Sequence, residues 1–238
     1  MEPKPGLTLC TFEVATHLGR HLRLGESRDG RVIDLNFATA WYLAQTGEAE
    51  PQRLADGLVP ADLREFLRTG LRALHTAEEL FLGAGPQPPD WWRQGTPPRG
   101  PNQETLVYME KEVAVHELFG GLADVPGPCQ CQWELAAVMG RGGVAGYTLE
   151  NRFPGRTAIG PRLLTMAKVP DPAQVEIILR INGEERGHRR ALAAFELERP
   201  DLPGQVIGGG PLGSASLRPG DFVELEAAGF GILAHRVV

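Results

Sequence analysis

The sequence predicts an α+β chain of mainly β character, with a small strand-and-helix unit followed by a larger mixed-sheet domain. Three observations carry this. Residues 1–82 combine short strand-like runs with stretches of helical period. From Thr105 onward almost every segment reads as strand, with hairpin turns between and little room for crossover helices. Between them, residues 83–104 are dense in proline and glycine and follow neither period. The expected units are therefore 1–82, a linker or lid at 83–104, and 105–238.

Taken in order, Leu7 to Ala15 and Gly19 to Leu24 read as strands, and Asp29-Gly30 turns the chain into Arg31 to Leu35. A helix follows from Asn36 to Thr46, with Phe37, Trp41 and Leu43 on its apolar face. A second helix is expected to start near Pro60, because Leu63, Phe66, Leu67, Leu71, Leu74 and Leu80 keep a helical period. Trp91-Trp92 in the linker fit either a lid or an interface. Later strands are expected at Thr105–Met109, Val113–Val115, Cys131–Met139, Val144–Leu149, Val175–Ile181, Phe222–Ala227 and Gly231–Val237. Asn182-Gly183 is a hairpin turn, and Arg218-Pro219-Gly220-Asp221 is another.

Composition excludes several partners. The chain has 238 residues and a formal net charge of -6, with acidic and basic side chains well mixed. Its densest basic stretch, Arg186 to Arg190, follows Glu184 and Glu185 and reads as a solvated hairpin tip, so no nucleic-acid partner is expected. Cys10, Cys129 and Cys131 are too few for a disulfide framework and lack the partners of a zinc site. No apolar run approaches the roughly 18 residues of a membrane span. The first residues carry no signal-peptide pattern, and a cytoplasmic location is expected.

The segment QCQWELAAVMG, Gln130 to Gly140, carries the most chemistry. As a strand it places Gln130, Gln132 and Glu134 on one face. WELAAVMG, then VAGYTLEN, AIGPRLLT, LRINGEERG and LRPGDFVELEAAGFGIL follow in order. Together with the leading stretch through DGRVIDL, these motifs resemble the fumarylacetoacetate hydrolase family over most of the chain. The resemblance implies a β-roll or β-sandwich C-terminal domain. It implies activity on keto-enol, 1,3-dicarbonyl or related carboxylic acids, and a homodimer. In the family, Mg²⁺ or Mn²⁺ stabilises developing enolate charge, and a histidine–glutamate pair moves protons.

Carried over residue by residue, the resemblance makes Glu134 the second acid of the family's metal strand, and Gln132 stands where the first should be. The aspartate expected after Asn151 is Arg152. An arginine there repels a cation and can pair with Glu134, so no cofactor is expected, neither Mg²⁺ nor Mn²⁺. His75 and Glu78 reproduce the family's H-x-x-E spacing, although that stretch also reads as helix surface. LVYMEKEVAVHELFGG resembles the strand and loop bordering the family's pocket, which puts Tyr108 and His116 forward. AIGPRLLT resembles a family turn, and Gly210 stands where a substrate-binding threonine is usual.

The candidate catalytic residues are thus Glu134, His116, His75 and Glu78, with Gln132, Arg152, Tyr108 and Gly210 for substrate. Two readings follow. One is a metal-independent enzyme that grips an acidic substrate with Arg152. The other is a non-catalytic relative whose pocket is filled by an Arg152–Glu134 pair.

Overall fold

The computed structural model describes residues 6–17, 19–82, 99–102, 104–119, 124–195 and 202–238. Trp91-Trp92 and most of the expected linker lie outside them.

The chain begins with three antiparallel strands, β1 (Thr8–Thr16), β2 (Gly19–Arg28) and β3 (Arg31–Asp34). At the β2–β3 turn Asp29 and Gly30 have φ of 50° and 72°, the left-handed geometry of a tight hairpin. Asp34 ends β3 and caps α1 (Leu35–Gln45), accepting a hydrogen bond from the Phe37 amide at 3.0 Å.

The single second helix that the leucine period predicts is not what forms. The chain makes α2 (Pro51–Leu58), α3 (Leu63–Thr69) and α4 (Leu71–Leu82). Gly70 causes the break between the last two. It has φ of 93°, and a Cβ there would press on Arg141. The buried leucines keep one face because both short helices lie on the same core.

The remaining strands are β4 (Val107–Met109), β5 (Val115–His116), β6 (Cys129–Gly140), β7 (Gly143–Phe153), β8 (Arg156–Thr165), β9 (Glu176–Ile181), β10 (Glu184–Arg190), β11 (Val206–Gly208), β12 (Gly213–Leu217), β13 (Phe222–Ala227) and β14 (Gly231–Arg236). AIGPRLLT, expected as a turn, is most of β8. RGHRR belongs to β10, an edge strand, and the tip of its hairpin is Asn182-Gly183, with φ of 54° and 79°.

Among the described residues the large sheet has ten strands, with a main path β11-β6-β7-β8-β1-β2-β3-β4. β12 also pairs with β6, and β5 with β1. The second sheet runs β10-β9-β13-β14. Strands from both expected sequence units therefore share the large sheet. Trp133, Leu135, Leu149 and Phe153 point from β6 and β7 into a core shared with Ile177, Leu179, Val223, Leu225 and Leu233 of the small sheet. Each such side chain, once buried, contributes roughly 1.5–3 kcal/mol. Val138 and Ala145 help form a second core with Phe66, Leu67, Ala73, Leu74 and Ala77 of the helices.

Candidate functional site

Strand alternation decides which side chains of β6 and β7 can meet. Trp133 and Leu135 enter the inter-sheet core, so Gln132 and Glu134 must take the other face. The β6–β7 register pairs Gln132 with Arg152 and Glu134 with Glu150. Four polar side chains thus gather on two adjacent strands. Glu134 and Glu150 are 1% and 4% exposed, whereas Gln132 and Arg152 are exposed.

Arg152 bridges the two acids. Its Nε donates to Glu150 Oε1 at 2.6 Å, and Nη2 lies 3.1 Å from Glu134 Oε1. The second contact is a charge contact without hydrogen-bond alignment, since Glu134 Oε1 receives no hydrogen bond among the described residues. Glu150 Oε2 is also buried without a donor. Two acids share one guanidinium, and the demand of both for donors is not met. Burial pushes the Glu134 carboxyl above its usual range. The Gly210 amide opposes this, Glu150 adds to it, and Arg152 opposes it. The Arg152 guanidinium is raised, chiefly by its hydrogen bond to Glu150.

A glycine run closes around this cluster. Gly210 N donates to Glu134 Oε2 at 2.8 Å, and Gly209 N to the Leu135 carbonyl at 2.8 Å. At Gly208 a Cβ would overlap both Glu134 Oε2 and Arg152 Nη2. The bare backbone of β11 therefore lets arginine and glutamate meet.

The structure gathers Glu134, Gln132, Arg152 and Gly210, and leaves the other candidates elsewhere. Tyr108 lies on β4, at the far end of the large-sheet path, and packs against Phe12 with ring centroids 5.3 Å apart. The motif that suggested it is a strand beside β3, not part of this cluster. His75 stands on the exposed side of α4, turned from the Ala73, Leu74 and Ala77 face that packs, and Glu78 follows it one turn on, half-buried. The spacing that put the pair forward is satisfied by an ordinary helix surface. His116 pairs in register with Thr11 and has Nε2 3.6 Å from Glu13 Oε2, so its ring is directed to β1. Its neighbours come closer: the Leu118 amide donates to the carbonyl of Ile159, the register partner of Glu150.

Two contributors escaped the sequence reading. Glu150 precedes Arg152 by two residues, and strand alternation alone would have put both on one face. Gly208 carried no local signal, because its role exists only where β11 crosses Glu134 and Arg152.

No family model matches the chain. In sequence it is similar to the mitochondrial oxaloacetate tautomerase FAHD2A of Bos taurus, at 24% identity over 100% of this chain and 93% of the relative. In structure it is similar to maleylpyruvate hydrolase from Sphingobium sp. SYK-6, with a TM-score of 0.60 and 18% identity, covering 98% of this chain and 99% of that one. It is also similar to 2-hydroxyhepta-2,4-diene-1,7-dioate isomerase from Mycobacterium marinum, with a TM-score of 0.53 and 16% identity, covering 98% and 99%. The structural likenesses show a fold that these enzymes share. With the ordered motifs and the full-length relative, the chain is a divergent member of the fumarylacetoacetate hydrolase family.

The maleylpyruvate hydrolase is also known in complex with manganese(II) ion and pyruvate, at a TM-score of 0.59 and 17% identity, covering 98% and 99%. That complex overturns the expectation of no cofactor, since a protein of this fold holds the metal that was excluded. The donors of this chain are arranged differently. Among the described residues no group of three or more His, Cys, Asp or Glu side chains is placed to hold a metal. The two acids that share a face have Arg152 between them. As placed, these residues are not a divalent-cation cradle. Among the described residues no helix is long and apolar enough to cross a membrane.

Proposed function

We propose that this chain is an enzyme acting on small keto or enol acids, of the isomerase, tautomerase or hydrolase class. One observation carries the reading. A partly exposed guanidinium is braced from behind by two buried carboxylates whose hydrogen-bonding capacity is not filled. The two contacts use Nε and Nη2, and Nη1 carries further donors suited to a planar carboxylate. Glu134, its proton affinity raised by burial, is suited to take a proton from carbon beside a carbonyl and return it. Such transfer is worth roughly 10²- to 10⁴-fold. Gly210 orients the carboxylate through its amide. The names of the similar proteins, a tautomerase, a hydrolase and an isomerase, support the same class. A homodimer completes the reading, and sedimentation showing a monomer at micromolar concentration would remove that part.

The test is turnover of oxaloacetate enol and of acylpyruvates, followed by ultraviolet absorbance, with Mn²⁺ supplied or chelated. Arg152→Met is expected to raise KM, and Glu134→Gln to lower kcat. Absence of turnover under every condition would sink the enzyme reading. The closed set of charge contacts around Arg152 favours a second reading, a non-catalytic binding protein. Keto-acid binding without turnover would select it.

A further inference from the structure

The polar row that contains Arg152 extends well beyond the acid cluster. In register, Ser214 of β12 pairs with Gln132 of β6, Gln132 with Arg152 of β7, and Arg152 with Thr157 of β8. All four are exposed, on a face whose inner neighbours are buried. In the next row Gln130 donates to Ser216 Oγ at 2.7 Å, so that pair is tied together. Ser214 and Ser216 also line a groove of about 500 Å³ shared with Asn182, Arg186, Arg218 and Asp221. The row and the groove meet at Ser214.

The charges of the groove are unequal in availability. Arg186 is paired with Glu184 at 2.8 Å. The Asp221 carboxylate accepts from the Arg218 amide and from Asn182 Nδ2, each at 2.8 Å. Among the described residues the Arg218 guanidinium has no salt-bridge partner. It is the groove's cation left for a ligand.

We infer that the substrate is an extended dicarboxylic keto or enol acid, with one carboxylate on Arg152 and the other in the groove at Arg218. The inference rests on the keto-acid reading above. From β7 to β12 is two strand spacings, about 10 Å, which suits a diacid of roughly six to eight carbons. Between the two arginines, Gln132 and Ser214 offer donors to an oxygen on the chain of the ligand. Neither is placed to take part in proton transfer, so both are specificity residues.

The experiment is calorimetric titration with unreactive diacids from malonate to suberate, alongside oxaloacetate turnover. Wild type is expected to bind the longest diacids at least tenfold more tightly than malonate. Arg218→Gln and Ser214→Ala, both at exposed positions and checked for unchanged melting temperature, should erase that preference while sparing malonate. Equal affinity along the series, or a preference intact in Arg218→Gln, overturns the inference while measured turnover still supports the function. Arg152→Met leaving both binding and turnover unchanged overturns the two together.

Discussion

Two buried acids in this molecule are paired with arginine, and they are served very differently. Asp34, fully buried, receives Arg23 through Nε and Nη2 and also caps α1 through the Phe37 amide. Both of its oxygens are engaged. Arg23 in turn stacks on Phe37, with its guanidinium carbon 3.7 Å from the ring centroid. At the other site Glu134 and Glu150 divide a single arginine, and one oxygen of each lacks a hydrogen-bond donor. The first pairing is complete and organises a strand-to-helix junction. The second is incomplete and exposes its cation, so an outside anion can finish it. The number of donors per acid separates structural from functional pairing here.

The largest test of that contrast is Asp34→Ala. It strips a buried arginine pair and a helix cap together, and urea denaturation should show a loss of about 3–5 kcal/mol. A loss below about 1 kcal/mol would show that completeness does not mark a structural pair.

A buried histidine offers the next. His235 is 5% exposed, has Phe153 edge-on at 5.6 Å, and burial lowers its pKa to about 4. The folded state refuses a proton that the unfolded chain accepts at its ordinary pKa near 6.5. Its contribution is complete above that value and is lost as pH falls toward 4, by about 3 kcal/mol in all. His235→Phe should flatten this part of the stability–pH curve. An unchanged slope would assign the acid sensitivity to the carboxylates instead.

Gly208→Ala sharpens the comparison at the site itself. The added methyl overlaps Glu134 and Arg152, so overpacking should cost about 1–3 kcal/mol and keto-acid binding should weaken in step. Asp34 and its helix should be untouched, as read by amide exchange in α1. Binding unchanged in this variant would mean that Arg152 does not work from its observed position.

The smallest effect is expected from Arg152→Met. With a partly exposed guanidinium, and acids free to neutralise by taking up a proton, it should cost only about 1 kcal/mol at neutral pH while removing keto-acid affinity. A loss as large as that of Asp34→Ala would make Arg152 a structural residue and erase the distinction.

Much of the frame could be read before any coordinates. The turns at Asp29-Gly30 and Asn182-Gly183 were legible because left-handed backbone is a local demand that few residues meet. The face carrying Gln132 and Glu134 was legible because alternation in a strand is local too. The broken helix was missed because a leucine period cannot report the contact between Gly70 and Arg141, which lie on different elements. His75, Glu78, Tyr108 and His116 were chosen by spacing and motif, and those patterns do not say which way a side chain turns once its element has docked.

What this sequence determined by itself is short-range: the hairpins, the alternating faces of β6 and β7, and the ordered motifs that mark the family. Only the tertiary structure decided that Glu150 stands beside Glu134, that Gly208 clears room for Arg152, and that Ser214 and Arg218 lie at the end of the same polar row. The physical reason is register. Pairing between strands far apart in sequence is settled by burial of the opposite face, where Trp133, Leu135 and Phe153 enter the shared core, and the polar side chains go where that leaves them.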